Sequence, residues 1–157
     1  MASRKSKSDL VGEVVRAFRV SGNQDTAFDK LAAERLGVSE TDLHCLNIIE
    51  NSSGLSAGQL AAQAGLSAGA VTGVIDRLER VGFARRVPDP GDRRRVKVEV
   101  TPEFYKRAER VWGPMAADWH STLARRFTTE ELERISDFLR TTNELGRRHL
   151  DRLREMR

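Results

Sequence analysis

Residues 65–101 read GLSAGAVTGVIDRLERVGFARRVPDPGDRRRVKVEVT, and the hydrophobic period of this stretch changes part-way along it. Gly65 supplies the positive φ of a tight turn, Leu66 anchors that turn, and Ser67 is a ready N-cap for the next helix. Val71, Val74, Ile75, Leu78 and Val81 then share one face of that helix, while Gly69, Thr72, Gly73, Asp76, Arg77 and Arg80 share another. From Phe83 the period becomes two. Phe83, Arg85 and Val87 alternate with Ala84 and Arg86, and Val96, Val98 and Val100 alternate with Lys97 and Glu99. The pattern predicts an antiparallel hairpin. Its connection, Pro88-Asp89-Pro90-Gly91-Asp92, is dense in turn residues and sets the arginines after it at an exposed tip.

Upstream, Ser56 with Gln59 has the spacing of a capping box and predicts a short helix over 57–64, joined to the next by the three-residue turn. Ser39 with Asp42 opens a helix over 40–50 in the same way. Before it, Leu10, Val11, Val14, Val15 and Phe18 recur at helical spacing, Gly22 with Asn23 predicts a kink or break, and the period resumes from Phe28 to Leu36 before Gly37. Downstream, Thr101 caps a helix with Pro102 at its first position, and Gly113 with Pro114 predicts a kink in it. Thr128 with Glu131 opens a last amphipathic helix. The resulting organisation is a basic tail over 1–8, N-terminal helices over 9–37, a central domain over 38–100 and C-terminal helices over 101–157.

The chain has 157 residues, 39% hydrophobic and 32% charged, which suits a globular protein and excludes disorder throughout. Its apolar runs are far shorter than the roughly 20 residues of a membrane span. The start, polar and basic, lacks the apolar segment of a secretory signal. One cysteine, Cys45, excludes an internal disulfide, so a cytoplasmic location is expected. The formal net charge of +4 is unevenly spread. Residues 83–98 hold six basic side chains against two acidic ones, and residues 1–7 add three more basic ones. A concentrated basic strip on a near-neutral body is what binding to a polyanion requires, because each neutralised phosphate releases condensed counterions.

A helix, a tight turn, a second helix with a polar face and a basic hairpin together make a winged helix-turn-helix, so the fold class expected is mainly α with a small β-hairpin wing. The major groove of DNA admits an α-helix, so Ser67, Ala68, Gly69, Thr72, Gly73 and Arg77 are candidates for contact with bases and phosphates. The hairpin tip reaches an adjacent minor groove, whose narrow form concentrates negative potential and favours Arg93 or Arg94. Arg85 and Arg86 alternate on their strand, one toward phosphate and the other toward a carboxylate; Arg86 is grouped with the DNA-facing residues. Asp76 is expected to pair with Arg80 or Arg77 along its helix.

The segment Asp89-Pro90-Gly91-Asp92-Arg93-Arg94, preceded by Gly65-Leu66-Ser67 and by the run from Ile75 to Gly82, and leading into Val98-Glu99-Val100-Thr101, resembles the MarR family of bacterial transcriptional regulators. The resemblance covers most of the chain in order. It implies a homodimer shaped by the first and last helices, a pseudopalindromic double-stranded operator, repression, and release by a small ligand, often aromatic or phenolic. It also implies Arg94 as the minor-groove residue, Asp92 as its ion-pair brace, and an effector pocket partly lined by His44, Trp112 and Met115. The small residues Ala68, Gly69 and Gly73 depart from many relatives and imply sparse direct base readout, with DNA shape making up the difference.

Other chemistries find less support. Adjacent residues on a helix point about 100° apart, so His44 and Cys45 do not readily share a proton, and no catalytic residue is assigned. Cys45 is expected to be buried and inert. His120 and His149 lack metal-ligand spacing; no metal and no cofactor are assigned. Trp112, Met115 and Trp119 also read as plain packing. A protein-interaction scaffold built on the winged helix, without DNA binding, is the alternative function.

Overall fold

A computed structural model of the chain, which describes residues 5–52, 54–89, 91, 92 and 95–156, contains six helices and one hairpin. The helices are α1 (Lys7–Leu36), α2 (Glu40–Glu50), α3 (Ala57–Ala64), α4 (Ala68–Arg80), α5 (Pro102–Arg126) and α6 (Thr129–Glu155), with strands β1 (Ala84–Pro88) and β2 (Val96–Val100) between α4 and α5. The mainly helical winged-helix class expected from the sequence is the one found. The chain divides into two units inside α5, one ending at Val111 and the other running from Trp112.

Local capping accounts for most helix starts. Ser6, Ser39, Ser56 and Thr128 each accept from a backbone amide three residues on, while Asp9, Asp42, Gln59 and Glu131 reach back to the cap. The first of these boxes lies inside what reads as a tail, so α1 begins at Lys7. One expected break is corrected. The helix α1 runs unbroken through Gly22 and Asn23, with Thr26 donating its hydroxyl to the Gly22 carbonyl at 3.0 Å. Glycine lacks a side chain but keeps its N–H, so its cost of about 1 kcal/mol is absorbed by a 30-residue helix. The helix α5 runs from Pro102 to Arg126 with Gly113 and Pro114, the expected kink position, inside it.

The core of the first unit forms where α2, α3 and α4 meet the hairpin. Val71, Val74, Ile75 and Leu78, spaced three, four and seven residues apart, are all buried, as are Leu43, Leu46 and Ile49 of α2 and Leu60 of α3. Phe83 is fully buried, edge-to-face against Phe104 at 5.6 Å between ring centres, with the Arg107 guanidinium 5.4 Å over its ring. Two glycines make the connections possible. Gly65, at φ 67°, lets the Leu66 amide donate to Ala61 at 3.0 Å and releases the chain into Ser67. Gly82, at φ 77°, closes α4: its amide donates to Glu79 at 3.0 Å and that of Phe83 to Leu78 at 2.9 Å. Most side chains adopt this region only at a cost that glycine avoids.

The strands pair antiparallel, Ala84 opposite Val100 and Pro88 opposite Val96. Leu55, in the loop before α3, adds a bridge to β2 through Leu55 N–H to Val98 O at 3.3 Å and Val98 N–H to Leu55 O at 2.8 Å. The hairpin is therefore tied to the helix-turn-helix on the side away from β1. Thr101 locks its base, donating to the Gly82 carbonyl at 2.5 Å and accepting from the Phe104 amide at 3.3 Å as the cap of α5. The second unit comprises the rest of α5 and α6, and α6 has no buried residue within the chain.

Candidate nucleic-acid interface

The helix α4 buries one face completely and leaves Ser67, Ala68, Gly69 and Thr72 exposed on the other, with Gly73 half-buried. Ser67 Oγ accepts from the Ala70 amide at 3.3 Å, and Thr72 Oγ1 donates to the Ala68 carbonyl at 3.0 Å. Both hydroxyls are thus oriented by the helix that carries them. A methyl group built on Gly69 would meet nothing within 4 Å, so this part of the surface is open.

Arg77, in the C-terminal half of α4, is held by a residue 35 positions earlier. Its Nη2 donates to Asp42 Oδ1 at 2.7 Å and its Nε lies 3.2 Å from both carboxylate oxygens. Asp42 is also the third helical residue of α2, where it accepts from the Ser39 amide at 3.3 Å. Its side chain is only 4% exposed, that of Arg77 48%. Burial pushes the Asp42 carboxyl up, but the hydrogen bonds from Arg77 and Ser39 together with the Arg77 charge hold it below the usual carboxylate range.

Arg86 sits between two carboxylates of α4. Its Nη2 lies 2.8 Å from Asp76 Oδ1, its Nη1 contacts Glu79 Oε2, and its backbone amide donates to Glu79 Oε1 at 2.9 Å. The Asp76 hydrogen bond is the main reason its guanidinium is pushed further into the charged range. Asp76 therefore pairs with the hairpin, not with Arg80 or Arg77 along its own helix; exposed pairs within a helix are weak, and the returning strand offers a better-placed partner. Arg85 faces Glu99 across the ladder at 3.4 Å.

At the wing, Asp89 is the organiser. Its Oδ1 accepts from the Gly91 amide at 2.8 Å, its Oδ2 is 3.2 Å from Lys97 Nζ, and its own amide donates to the Arg95 carbonyl at 2.9 Å. The Gly91 amide, then Lys97, hold its carboxyl below the usual range. Asp92 pairs with Arg95 at 3.4 Å, and its carbonyl accepts from the Arg95 amide at 2.8 Å. Arg93 and Arg94, the sequence candidates for the minor groove, lie outside the described residues, and with them the expected Asp92 to Arg94 brace.

His44 is exposed and lines a cavity of about 390 Å³ with Thr26 and Asp29 of α1, Glu40 and Asn47 of α2, and Leu66 of the turn. Burial and then Asp25 push the Asp29 carboxyl up, with His44 pulling the other way. All the residues lining this cavity belong to the first unit, whereas Trp112 and Met115 belong to the second. Cys45 is buried, and that burial, followed by Asp42, pushes its thiol up. Among the described residues no cluster of ligand side chains suits a metal ion. No helix among them is long and apolar enough to cross a membrane.

Residues 38–96, from the loop before α2 to the first residue of β2, match the model of the MarR family. Over 155 residues, 99% of this chain and 100% of its relative, the sequence is 35% identical to the uncharacterized HTH-type transcriptional regulator YcgE of Bacillus subtilis. The chain belongs to the MarR family. Its fold is shared with a MarR family protein from Bacillus stearothermophilus, at TM-score 0.65 and 19% identity over 90% of this chain and 99% of that one. It is also shared with a mutant of S. aureus MepR bound to an oligodeoxyribonucleotide, at TM-score 0.54 and 20% identity over 83% of this chain and 96% of that one. As a MarR-family protein this is a transcriptional regulator, and DNA is its partner. Within that frame, the residues that sequence reading missed are carboxylates: Asp42, Glu79 and Asp89. Asp42 carried a local signal as the partner of Ser39 in a capping box and Asp89 carried one as part of an Asp-Pro-Gly turn, whereas Glu79 carried none.

Proposed function

We propose that two copies of this chain form a homodimer that binds a pseudopalindromic operator, represses transcription, and is released by a small aromatic ligand. In this reading residues 9–37 and 101–157 supply the dimer contacts and 38–100 read DNA. Ser67, Ala68, Gly69, Thr72 and Gly73 enter the major groove and Arg77 approaches its edge. Arg93 and Arg94 serve the minor groove, with Asp92 bracing Arg94. The two recognition helices then lie about one DNA turn apart, roughly 34 Å.

The observation that carries the reading is the outward face at the start of α4, where the small side chains of Ser67, Ala68, Gly69 and Thr72 are exposed while the opposite face is packed into the core. Pairing is supported by apolar residues left in water: Leu10, Val14 and Phe18 along α1, and Leu150 and Leu153 at 55% and 63% exposure on α6. An effector lowers DNA affinity only by preferring a dimer whose half-site spacing is wrong, so its site must differ between the two conformations. The cavity beside His44, within the first unit, is the candidate place.

The test is selection of bound genomic fragments, with anisotropy titrations of those fragments at several salt concentrations. We expect affinity to fall steeply with salt, with a slope of about 0.9 per phosphate neutralised, and Arg94→Ala to lose wing contacts. Sedimentation measurements report the oligomer. A monomer, or duplex binding indifferent to both salt and Arg94, overturns the reading.

A further inference from the structure

We propose that Arg86 is the latch that fixes the wing against the recognition helix and is not a phosphate ligand. The proposal deepens the DNA-binding reading above and rests on it for its DNA readout, though the latch itself is a property of the free protein. Asp76 and Glu79 lie three residues apart and so share a face of α4, and Arg86, the middle residue of β1, closes on both. One cation facing two carboxylates leaves a local excess of negative charge, which repels a phosphate.

The backbone supports the same assignment. Val98 opposes Arg86 in the ladder but directs its N–H and C=O to Leu55. The Arg86 and Val98 pair is therefore of the non-hydrogen-bonded kind, and the Arg86 amide points away from β2. Glu79 takes that amide at 2.9 Å with one oxygen and the guanidinium with the other. A single carboxylate thus satisfies the strand's orphan donor and holds its side chain. Leu55 secures β2 from the opposite side, so the sheet is fixed on both edges close to its base. Asp89 lies three residues further out, about 10 Å at strand rise, so a small tilt at Arg86 is magnified at the tip.

The two roles predict opposite signs. In the latch role Glu79→Gln weakens operator binding about tenfold although it removes a negative charge, because a charge-assisted bond to the strand is lost. In a phosphate role the same change frees Arg86, tightens binding and steepens the salt slope by about 0.9. Arg86→Lys separates them again. A lysine still offers a point charge to phosphate but cannot span two carboxylates, so near wild-type affinity overturns the latch and a loss matching Arg86→Gln supports it.

Hydrogen exchange without DNA supplies the independent readout. In Glu79→Gln and Arg86→Gln we expect the Val87 and Lys97 amides to exchange about tenfold faster while Val74 and Ile75 of α4 keep their protection, which also shows that the variants fold. Unchanged exchange at the wing overturns the latch. If the wild-type protein binds no duplex, the DNA-binding reading fails, and the exchange result still decides the latch.

Discussion

Replacing Arg77 by glutamine strands a buried carboxylate, and the sign of the resulting pH dependence is diagnostic. Asp42 is 4% exposed at its side chain and receives three donor contacts from Arg77. Removing one partner of a buried pair costs about 3–5 kcal/mol. The Ser39 amide still donates to Asp42, so the lower end, about 3 kcal/mol at pH 7, is expected. Asp42→Asn is milder, about 1–2 kcal/mol, because the half-exposed Arg77 recovers its hydration. In the wild type the folded carboxyl is depressed, so its contribution is present above the unfolded value near 3.9 and is lost only as pH falls through the lower folded value. In Arg77→Gln burial is opposed by Ser39 alone, and the folded carboxyl rises above the unfolded value. A raised acid costs stability above its folded pKa, and that cost disappears as pH falls toward the ordinary carboxylate range. Urea unfolding monitored by circular dichroism, at one protein concentration, gives the gap between variant and wild type at pH 7 and pH 4.5. The gap must shrink for Arg77→Gln and stay flat for Asp42→Asn. A gap that is constant or widens for Arg77→Gln refutes the argument.

The same geometry sets three further outcomes. Phe83→Ala removes a fully buried ring packed against Phe104 and is expected to cost about 3–5 kcal/mol in urea unfolding; a loss below about 1 kcal/mol means the ring is not central to the core. Cys45, buried with its thiol pushed up, should resist a thiol reagent at pH 8 until urea unfolds the protein, and rapid labelling of the native state contradicts this. Gly69→Ala meets open space on the protein and gains helix propensity of about 1 kcal/mol, so thermal stability rises. If α4 approaches the duplex closely, its affinity for DNA falls at the same time; unchanged affinity places Gly69 away from the groove.

What is legible in the sequence is local. Ser39, Ser56 and Thr128, each three residues ahead of an acidic or amide side chain, mark helix starts, because donor and acceptor are fixed by one turn of backbone. The same rule applied to Ser6 and Asp9 finds the start of α1, which a reading of that segment as tail passes over. Gly22 misleads because glycine raises the cost of a helix without forbidding it when the remaining turns are long. Non-local partners are not legible. Asp42 and Arg77 are 35 positions apart, and Leu55 meets Val98 through a single bridge with no flanking pattern. Helical spacing names who shares a face, not which strand returns to it, which is why spacing alone points Asp76 to a partner on its own helix.

The ion pairs give α4 a division of labour. Three of the four charges in its C-terminal half are used internally: Arg77 on α2, Asp76 and Glu79 on β1. These contacts fix the helix against α2 on one side and against the wing on the other. Its N-terminal half, from Ser67 to Gly73, carries no charge and no bulky polar side chain. Under the proposed function, that half offers close approach but few hydrogen bonds to base edges, while the cations nearest it are already neutralised. Affinity then has to come from phosphates and the wing tip, and discrimination from DNA whose groove width suits a wing held at one angle. Loosening that angle should therefore cost specificity before it costs non-specific binding, since phosphate contacts tolerate a displaced wing and a groove-width contact does not.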